Sequence, residues 1–192
     1  MDKKRFDLIK DKYGFLASWA VWAEADDKPK SNMGDVSIFN DPAIINSLNE
    51  NIIFVGLNIS RGSIKIPLAN FHDSNPRATD FKTRYALKDT PYWGGYMTDI
   101  IKNYSEVDSG QIPNYLKNNP SIEADNAKVF EEELYDLGAQ NPLIISFGVL
   151  TYKILKRNFS NKYRIIKIPH YANHGSKEKY REEVNRILDM EF

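Results

Sequence analysis

Ile52-Ile53-Phe54-Val55-Gly56-Leu57-Asn58 is the stretch of sequence that decides the fold class. Its first four residues include no polar side chain to face water, which is typical of a strand buried on both faces, as in a parallel sheet covered by helices. Glycine and asparagine are common turn residues, so the strand is expected to end at Gly56-Leu57-Asn58. The stretch therefore predicts an α/β protein.

Working outward from this strand, the sequence predicts three more strands, at residues 95–98, 143–147 and 164–170. Apolar residues three and four apart predict helices between them. The predicted helices are a first one of about twenty residues that carries Trp19 and Trp22, a short one from Asp41-Pro42 to about Asn49, and others at about 76–88 and 121–137. A further helix after Gly148 carries Tyr152, Leu155 and Phe159, and the last one carries Tyr180, Val184 and Ile187. Residues 103–120 are predicted to be mostly loop, and Gly138 to end the helix before it. We expect a three-layer α/β sandwich around a central, mostly parallel four-stranded sheet, in a single domain of residues 1–192, with residues 1–35 packed on it as a helix and loop.

The composition excludes several classes of protein. The 192 residues contain 26 Lys and Arg, 26 Asp and Glu, three His and no Cys. Without cysteine there is no disulfide, thiolate zinc site, iron–sulfur cluster or cysteine nucleophile. A net charge of zero argues against a protein that coats nucleic acid. The apolar runs are too short to span a membrane, and the charged start predicts no secretory signal, so we expect a cytoplasmic monomer.

The ends of the predicted strands locate a candidate site. Ligands of open parallel sheets bind beyond the carboxyl ends of the strands. In this sequence those ends are Gly56-Leu57-Asn58, Thr98-Asp99, Ser146-Phe147-Gly148 and Pro169-His170. We therefore expect a pocket that contains Asn58, Asp99, His170 and some aromatic surface.

Two short motifs resemble those of the uracil-DNA glycosylase superfamily. Gly56-Leu57-Asn58-Ile59-Ser60 is similar to the first motif, in which Gly-x-Asp or Gly-x-Asn-Pro follows a buried strand. Ile168-Pro169-His170-Tyr171-Ala172-Asn173-His174 is similar to the second motif, in which a strand ends in His-Pro-Ser. Ile144-Ile145-Ser146-Phe147-Gly148 resembles the strand and glycine that precede the second motif. The resemblance covers about residues 40–190.

The resemblance implies an enzyme that cleaves the N-glycosidic bond of a modified or mismatched base, in DNA or in a free nucleoside or nucleotide, without a cofactor or metal. Asn58 would orient the attacking water, and His170 would donate a hydrogen bond to the departing base. Phe71 would stack on the base, in a pocket formed with Gly56, Leu57 and Asp99. The phosphate contacts would come from Ser60, Arg61, His174 and Ser176, the last at a helix N-terminus.

The sequence departs from the family pattern at two places. The family usually reads the base with an Asn at the end of the second strand, and Asp99 occupies that position. An ionised carboxylate only accepts hydrogen bonds, so Asp99 suits an exocyclic amine better than the imide and carbonyl of uracil. Tyr171-Ala172 replaces the Pro-Ser of the second motif, and no Leu or Arg follows as a wedge for the duplex.

Other interpretations of the same residues stay open. Gly56-Leu57-Asn58 is also a plain strand-ending turn, Asp99 a helix N-cap, and Phe71 a core residue. One alternative function is a non-catalytic domain that binds a nucleotide or nucleic acid through the same pocket. A second is a metal-dependent hydrolase built on His72, His170 and His174.

Overall fold

A computed structural model describes residues 1–59, 64–102, 104, 106, 108, 110–173 and 175–190. A five-stranded sheet lies at its centre, in the order β1-β3-β2-β4-β5. The strands are β1 (Ser18–Trp19), β2 (Asn49–Asn58), β3 (Gly95–Ile101), β4 (Leu143–Phe147) and β5 (Arg164–Ile168). All neighbouring pairs are parallel except β1 with β3, so the prediction of an α/β protein with a mostly parallel sheet is confirmed.

Helices cover both faces of the sheet. They are α1 (Lys3–Tyr13), α2 (Pro42–Ile45), α3 (Phe81–Leu87), α4 (Ile112–Asn118), α5 (Pro120–Leu137), α6 (Gly148–Phe159) and α7 (Lys177–Asp189), with a 3₁₀ turn at Ser37–Asn40. One core joins α1, α5 and α6 to the face of β2 that carries Ile53 and Val55. A second core joins α3 and α7 to the face that carries Ile52 and Phe54. Because side chains alternate along a strand, residues 52–55 of β2 pack into both cores. This agrees with the prediction of a strand buried on both faces.

The register of the sheet aligns the predicted strand ends. Gly56 of β2 pairs with Asp99 of β3, and Phe147 of β4 pairs with Ile168 of β5. The chain continues from β2 to β3 on one side of it and reaches β4 on the other, so the strand order reverses at β2. Such a switch point opens a crevice at the carboxyl edge of the sheet.

The prediction of four strands is wrong because residues 18–19 form an edge strand instead of continuing the first helix. The helix ends at Tyr13, and the carbonyl of Gly14 accepts a hydrogen bond from the Leu68 amide at 2.6 Å. Ser18 and Trp19 then pair antiparallel with Met97 and Tyr96. Both predicted tryptophans are buried, but they reach the core from a strand and the segment after it. The apolar spacing of three and four continues past Tyr13 and favours a helix, but pairing of Ser18 and Trp19 with β3 overrides this local preference.

Three smaller differences concern the helices. Asn75-Pro76 forms a turn in which Asn75 Oδ1 accepts from the Arg77 amide at 2.9 Å, and α3 begins only at Phe81. Residues 112–118, predicted to be loop, form α4. Asp99 lies inside β3, so it does not cap a helix. Among the described residues, none of the helices is both long and apolar enough to cross a membrane.

Candidate functional site

A cavity of about 1090 Å³ opens at the carboxyl edge of the sheet. This volume lies just above the range of about 300–1,000 Å³ that is usual for small-molecule sites. Six of the ten predicted site residues line it: Gly56, Leu57, Asn58, Phe71, Asp99 and His170. They come from β2, the loop after it, β3 and the segment after β5, so the fold gathers residues that are far apart in the sequence.

Asn58, the last residue of β2, is held by two backbone carbonyls. Its Nδ2 donates to the carbonyl of Glu106 at 2.9 Å and to that of Tyr104 at 3.3 Å. An amide nitrogen has two protons, and both are directed to these carbonyls. The side chain is therefore fixed with its oxygen Oδ1 as the remaining polar atom, which is an acceptor suited to binding a water molecule.

His170 follows β5, and a backbone amide holds its ring so that it offers a donor where Asn58 offers an acceptor. The Ala172 amide donates to His170 Nδ1 at 3.1 Å, so a neutral ring carries its proton on Nε2. Burial lowers the pKa of His170 below its ordinary value, which favours the neutral ring at pH 7. The ring packs against Tyr171 and Phe147, with centroid distances of 4.3 and 6.3 Å. His170 thus offers one hydrogen-bond donor, the Nε2–H group.

Phe71 provides an aromatic wall at some cost in backbone conformation. Its φ of 66° lies in the left-handed region, which bulky residues rarely adopt. Trp22 Nε1 donates to its carbonyl at 3.2 Å and holds the segment in place. The ring lies 6.2 Å from that of Phe147 between centroids, and both line the cavity. Phe71 also belongs to the buried core, so its predicted roles in core and cavity are compatible.

Asp99 places a buried carboxyl group in the cavity wall. Its side chain shares the face of β3 that carries Met97, opposite the face of Thr98. Only 3% of the residue is exposed, and burial raises the pKa of Asp99 to about 6, against the hydrogen bond from Asn70 and the charge of Lys102. Asn70 Nδ2 donates to Oδ2 at 2.9 Å.

Of the four predicted phosphate contacts, the structure describes only Ser176. Ser60, Arg61 and His174 lie outside the described residues. Ser176 is the exposed N-cap of α7, where its Oγ accepts from the Lys179 amide at 3.3 Å, and it does not line the cavity.

His72 also lines the cavity, but it sits among aromatic rings. Its ring centroid lies 5.3 Å from Trp22 and 5.7 Å from Phe39. Burial lowers the pKa of His72 to about 4, so the ring is neutral at pH 7. Across the described ranges, no group of three or more His, Asp or Glu side chains is arranged to hold a metal ion. The metal-dependent hydrolase therefore gains no support from these residues.

Two residues of the site are not predicted by the sequence. Asn70 orients Asp99 from a loop without regular structure, and no sequence signal marks it. Phe147 stands at the end of β4, within a predicted strand end, but the sequence predicts no role for it in the site.

Comparisons with models of protein families, with curated proteins and with solved structures found no match to this chain. The resemblance to the uracil-DNA glycosylase superfamily therefore rests on the two motifs and stays a prediction.

Proposed function

We propose that this protein is a divergent glycosylase-like hydrolase that cleaves the N-glycosidic bond of a modified or mismatched base. One observation carries the proposal. Asn58 and His170, from two separate motifs, line the same cavity, and backbone contacts orient each of them. Among the described residues, no partner takes the acceptor oxygen of Asn58 or the Nε2–H donor of His170.

These roles match the requirements of the reaction. Asn58 Oδ1 would accept a hydrogen bond from a water molecule whose oxygen attacks C1′ of the sugar. The C1′–N bond then breaks, and its electron pair leaves with the base. The Nε2–H group of His170 would stabilise the developing negative charge on the base. The proton of the attacking water passes to solvent, and the departing base takes up a proton from solvent.

The aromatic wall supports the same substrate class. A base that enters the cavity has a flat apolar face, and aromatic side chains stack on such faces. Phe71 and Phe147 both present rings to the cavity. We therefore place the base between the strand ends, against Phe71.

Binding of a nucleoside or nucleotide without cleavage is a second candidate. One observation favours it: an amide cannot take a proton from water, so Asn58 can position the water without activating it. Such a site cleaves only a bond with a good leaving group. The two candidates differ in a single measurable product, the free base.

The test is base release by the whole protein. The substrates are single-stranded and mismatched oligonucleotides, and free nucleosides, that carry uracil, hypoxanthine, xanthine, cytosine or adenine. We expect release of at least one base, slowed at least tenfold by Asn58→Ala and by His170→Ala. Asn161→Ala, an exposed asparagine in the turn after α6, is the matched control and should retain the full rate. No release from any substrate would overturn the proposal, and binding without release would favour the second candidate.

A further inference from the structure

Asp99 is a buried carboxyl group that forms no salt bridge with any of the described residues. The nearby ammonium group of Lys102 is engaged elsewhere: its Nζ donates to the backbone carbonyl of Asp99 at 2.8 Å and pairs with Glu133 Oε2 at 2.6 Å. In the described part of the chain, the only hydrogen bond to the carboxyl group comes from Asn70. Because a carboxylate needs donors, the other oxygen of Asp99 takes its hydrogen bonds from whatever occupies the cavity, water or ligand.

The geometry leaves one carboxylate oxygen for a ligand. Both protons of Asn70 Nδ2 are used, one on Asp99 Oδ2 at 2.9 Å and one on the Leu16 carbonyl at 2.8 Å. The Asn70 hydrogen bond fixes the carboxyl group so that Oδ1 lies above Gly56. A β-carbon added at Gly56 would be only 2.2 Å from Asp99 Oδ1. The added β-carbon of Gly56 would also lie 3.2 Å from two atoms of the Phe71 ring. An acceptor oxygen and an aromatic ring therefore meet at one end of the cavity.

We propose that Asp99 Oδ1, beside Phe71, selects bases that carry an exocyclic amino group over bases that carry a carbonyl oxygen at the same position. This inference rests on the proposed function, since it assumes that the cavity holds a base. An amino group donates a hydrogen bond to Oδ1. A carbonyl oxygen at that position would face a second acceptor, and both would lose their water without gaining a donor.

The charge of the cavity wall also favours an amino group over a carbonyl oxygen. The described lining contains five acidic residues, Asp73, Asp80, Asp99, Glu106 and Glu183, and two lysines, Lys65 and Lys167. Both histidines of the lining have lowered pKa values and add no charge at pH 7. The negative potential of such a wall disfavours ligand atoms that carry partial negative charge, such as a carbonyl oxygen, relative to an amino N–H group.

The test compares nucleosides that differ only at this position: cytidine with uridine, and adenosine with inosine. Dissociation constants are measured by titration calorimetry at pH 7.5, with the wild-type protein and with Asp99→Asn. We expect the wild type to bind the amino member of at least one pair ten times or more tighter than its carbonyl partner. Asp99→Asn should reduce this preference to below threefold, because an amide offers donors as well as an acceptor. Asp89→Asn, which removes a carboxylate from an exposed turn, is the matched control and should keep the preference.

The wild-type comparison alone decides the inference, even if Asp99→Asn does not fold. Equal binding within both pairs, tighter binding of the carbonyl members, or no binding of any of the four nucleosides would overturn it. Base release is followed in the same samples. A preference for amino-bearing nucleosides without base release would support the inference and contradict hydrolysis. Base release without this preference would support hydrolysis and contradict the inference.

Discussion

Gly56 is the residue on which the arrangement of the cavity depends. It lies in β2 opposite Asp99, and the space where a side chain would stand is taken by the Asp99 carboxyl group and the edge of Phe71. Any larger residue must push one of them away. The sequence predicts that Gly56 belongs to a turn and to a base pocket. Only the structure shows that the Asp99 carboxyl group and the Phe71 ring occupy the space beside it.

We expect Gly56→Ala to abolish the preference of the site for amino-bearing bases and to destabilise the fold by about 1–3 kcal/mol, the usual result of overpacking a filled interior. The reason is the contact of 2.2 Å between the new methyl group and Asp99 Oδ1. The measurements are urea unfolding and nucleoside titration.

Gly110→Ala is the matched control for Gly56→Ala. Gly110 is exposed, and the nearest group to its added methyl would be the end of the Asp108 side chain at 3.0 Å. A Gly56→Ala protein with the stability and binding of the Gly110→Ala protein would contradict the described packing.

The buried carboxyl group of Asp99 should make stability depend on pH. Its pKa rises from an ordinary value of 3.8 to about 6 on folding. Below pH 3.8 the group is protonated in both states, and between pH 3.8 and 6 the unfolded chain loses the proton while the folded protein keeps it. Stability from this group is therefore lost as the pH rises through that window, by an amount on the order of 3 kcal/mol.

Asp99→Asn removes this titration. We expect the free energy of unfolding of the variant, relative to wild type, to increase from pH 4 to pH 7. Urea unfolding of both proteins at unit pH steps measures it. A difference between them that stays constant across the series would contradict the raised pKa.

At the scale of elements, β3 carries different chemistry on its two faces. Asp99 faces the cavity, whereas Tyr96 and Thr98 face α5 and donate to Glu133 Oε1 at 2.6 and 2.9 Å. Lys102 completes this second cluster by pairing with the other oxygen of Glu133, with both side chains almost fully buried. The cluster ties α5 to the strand that presents Asp99.

We expect Lys102→Met to destabilise the protein by about 3–5 kcal/mol, because it leaves the Glu133 carboxylate buried without its cation. Combining it with Glu133→Gln should restore part of that loss. Denaturant unfolding at pH 7 measures both variants.

The surface pair Arg157–Glu123 provides the comparison for Lys102. Arg157 is half exposed, so Arg157→Met should cost no more than about 1 kcal/mol. Equal losses in the two single variants would show that the Lys102–Glu133 pair behaves as a surface pair.

The accuracy of the sequence predictions for single elements follows the strength of local signals. The helix α5 is predicted within a residue, because its apolar spacing is regular and Gly138 ends it at a φ of 76°. The first helix is predicted too long, because apolar residues continue past Gly14 at a helical spacing, whereas the chain forms a two-residue edge strand at Ser18–Trp19. Pairing with β3 determines the conformation of residues 18–19, and this pairing cannot be recognised from the local sequence.

At the scale of the whole molecule, the strand-end rule predicts from the sequence alone that Asn58, Asp99 and His170 share one pocket, and the fold brings them to one cavity. The contacts that orient them are not predictable in this way. Asn58 is held by carbonyls of residues 104 and 106, and Asp99 is held by Asn70, so both depend on the paths of irregular loops. Topology follows from patterns in the sequence, whereas the direction of a side chain follows from its neighbours in space.

The central claim, that this cavity cleaves an N-glycosidic bond with a water held by Asn58, is tested most directly by separating chemistry from binding in Asn58→Ala. The base-release rate constant under single turnover and the dissociation constant of the same nucleoside are measured for wild type and variant, with thermal unfolding as the check on folding. Asn58 is placed to hold the water and not the base, so we expect the rate constant to fall at least tenfold while the dissociation constant stays within threefold of wild type. An unchanged rate constant in a folded Asn58→Ala protein, or no release of any base by the wild type, would contradict the account.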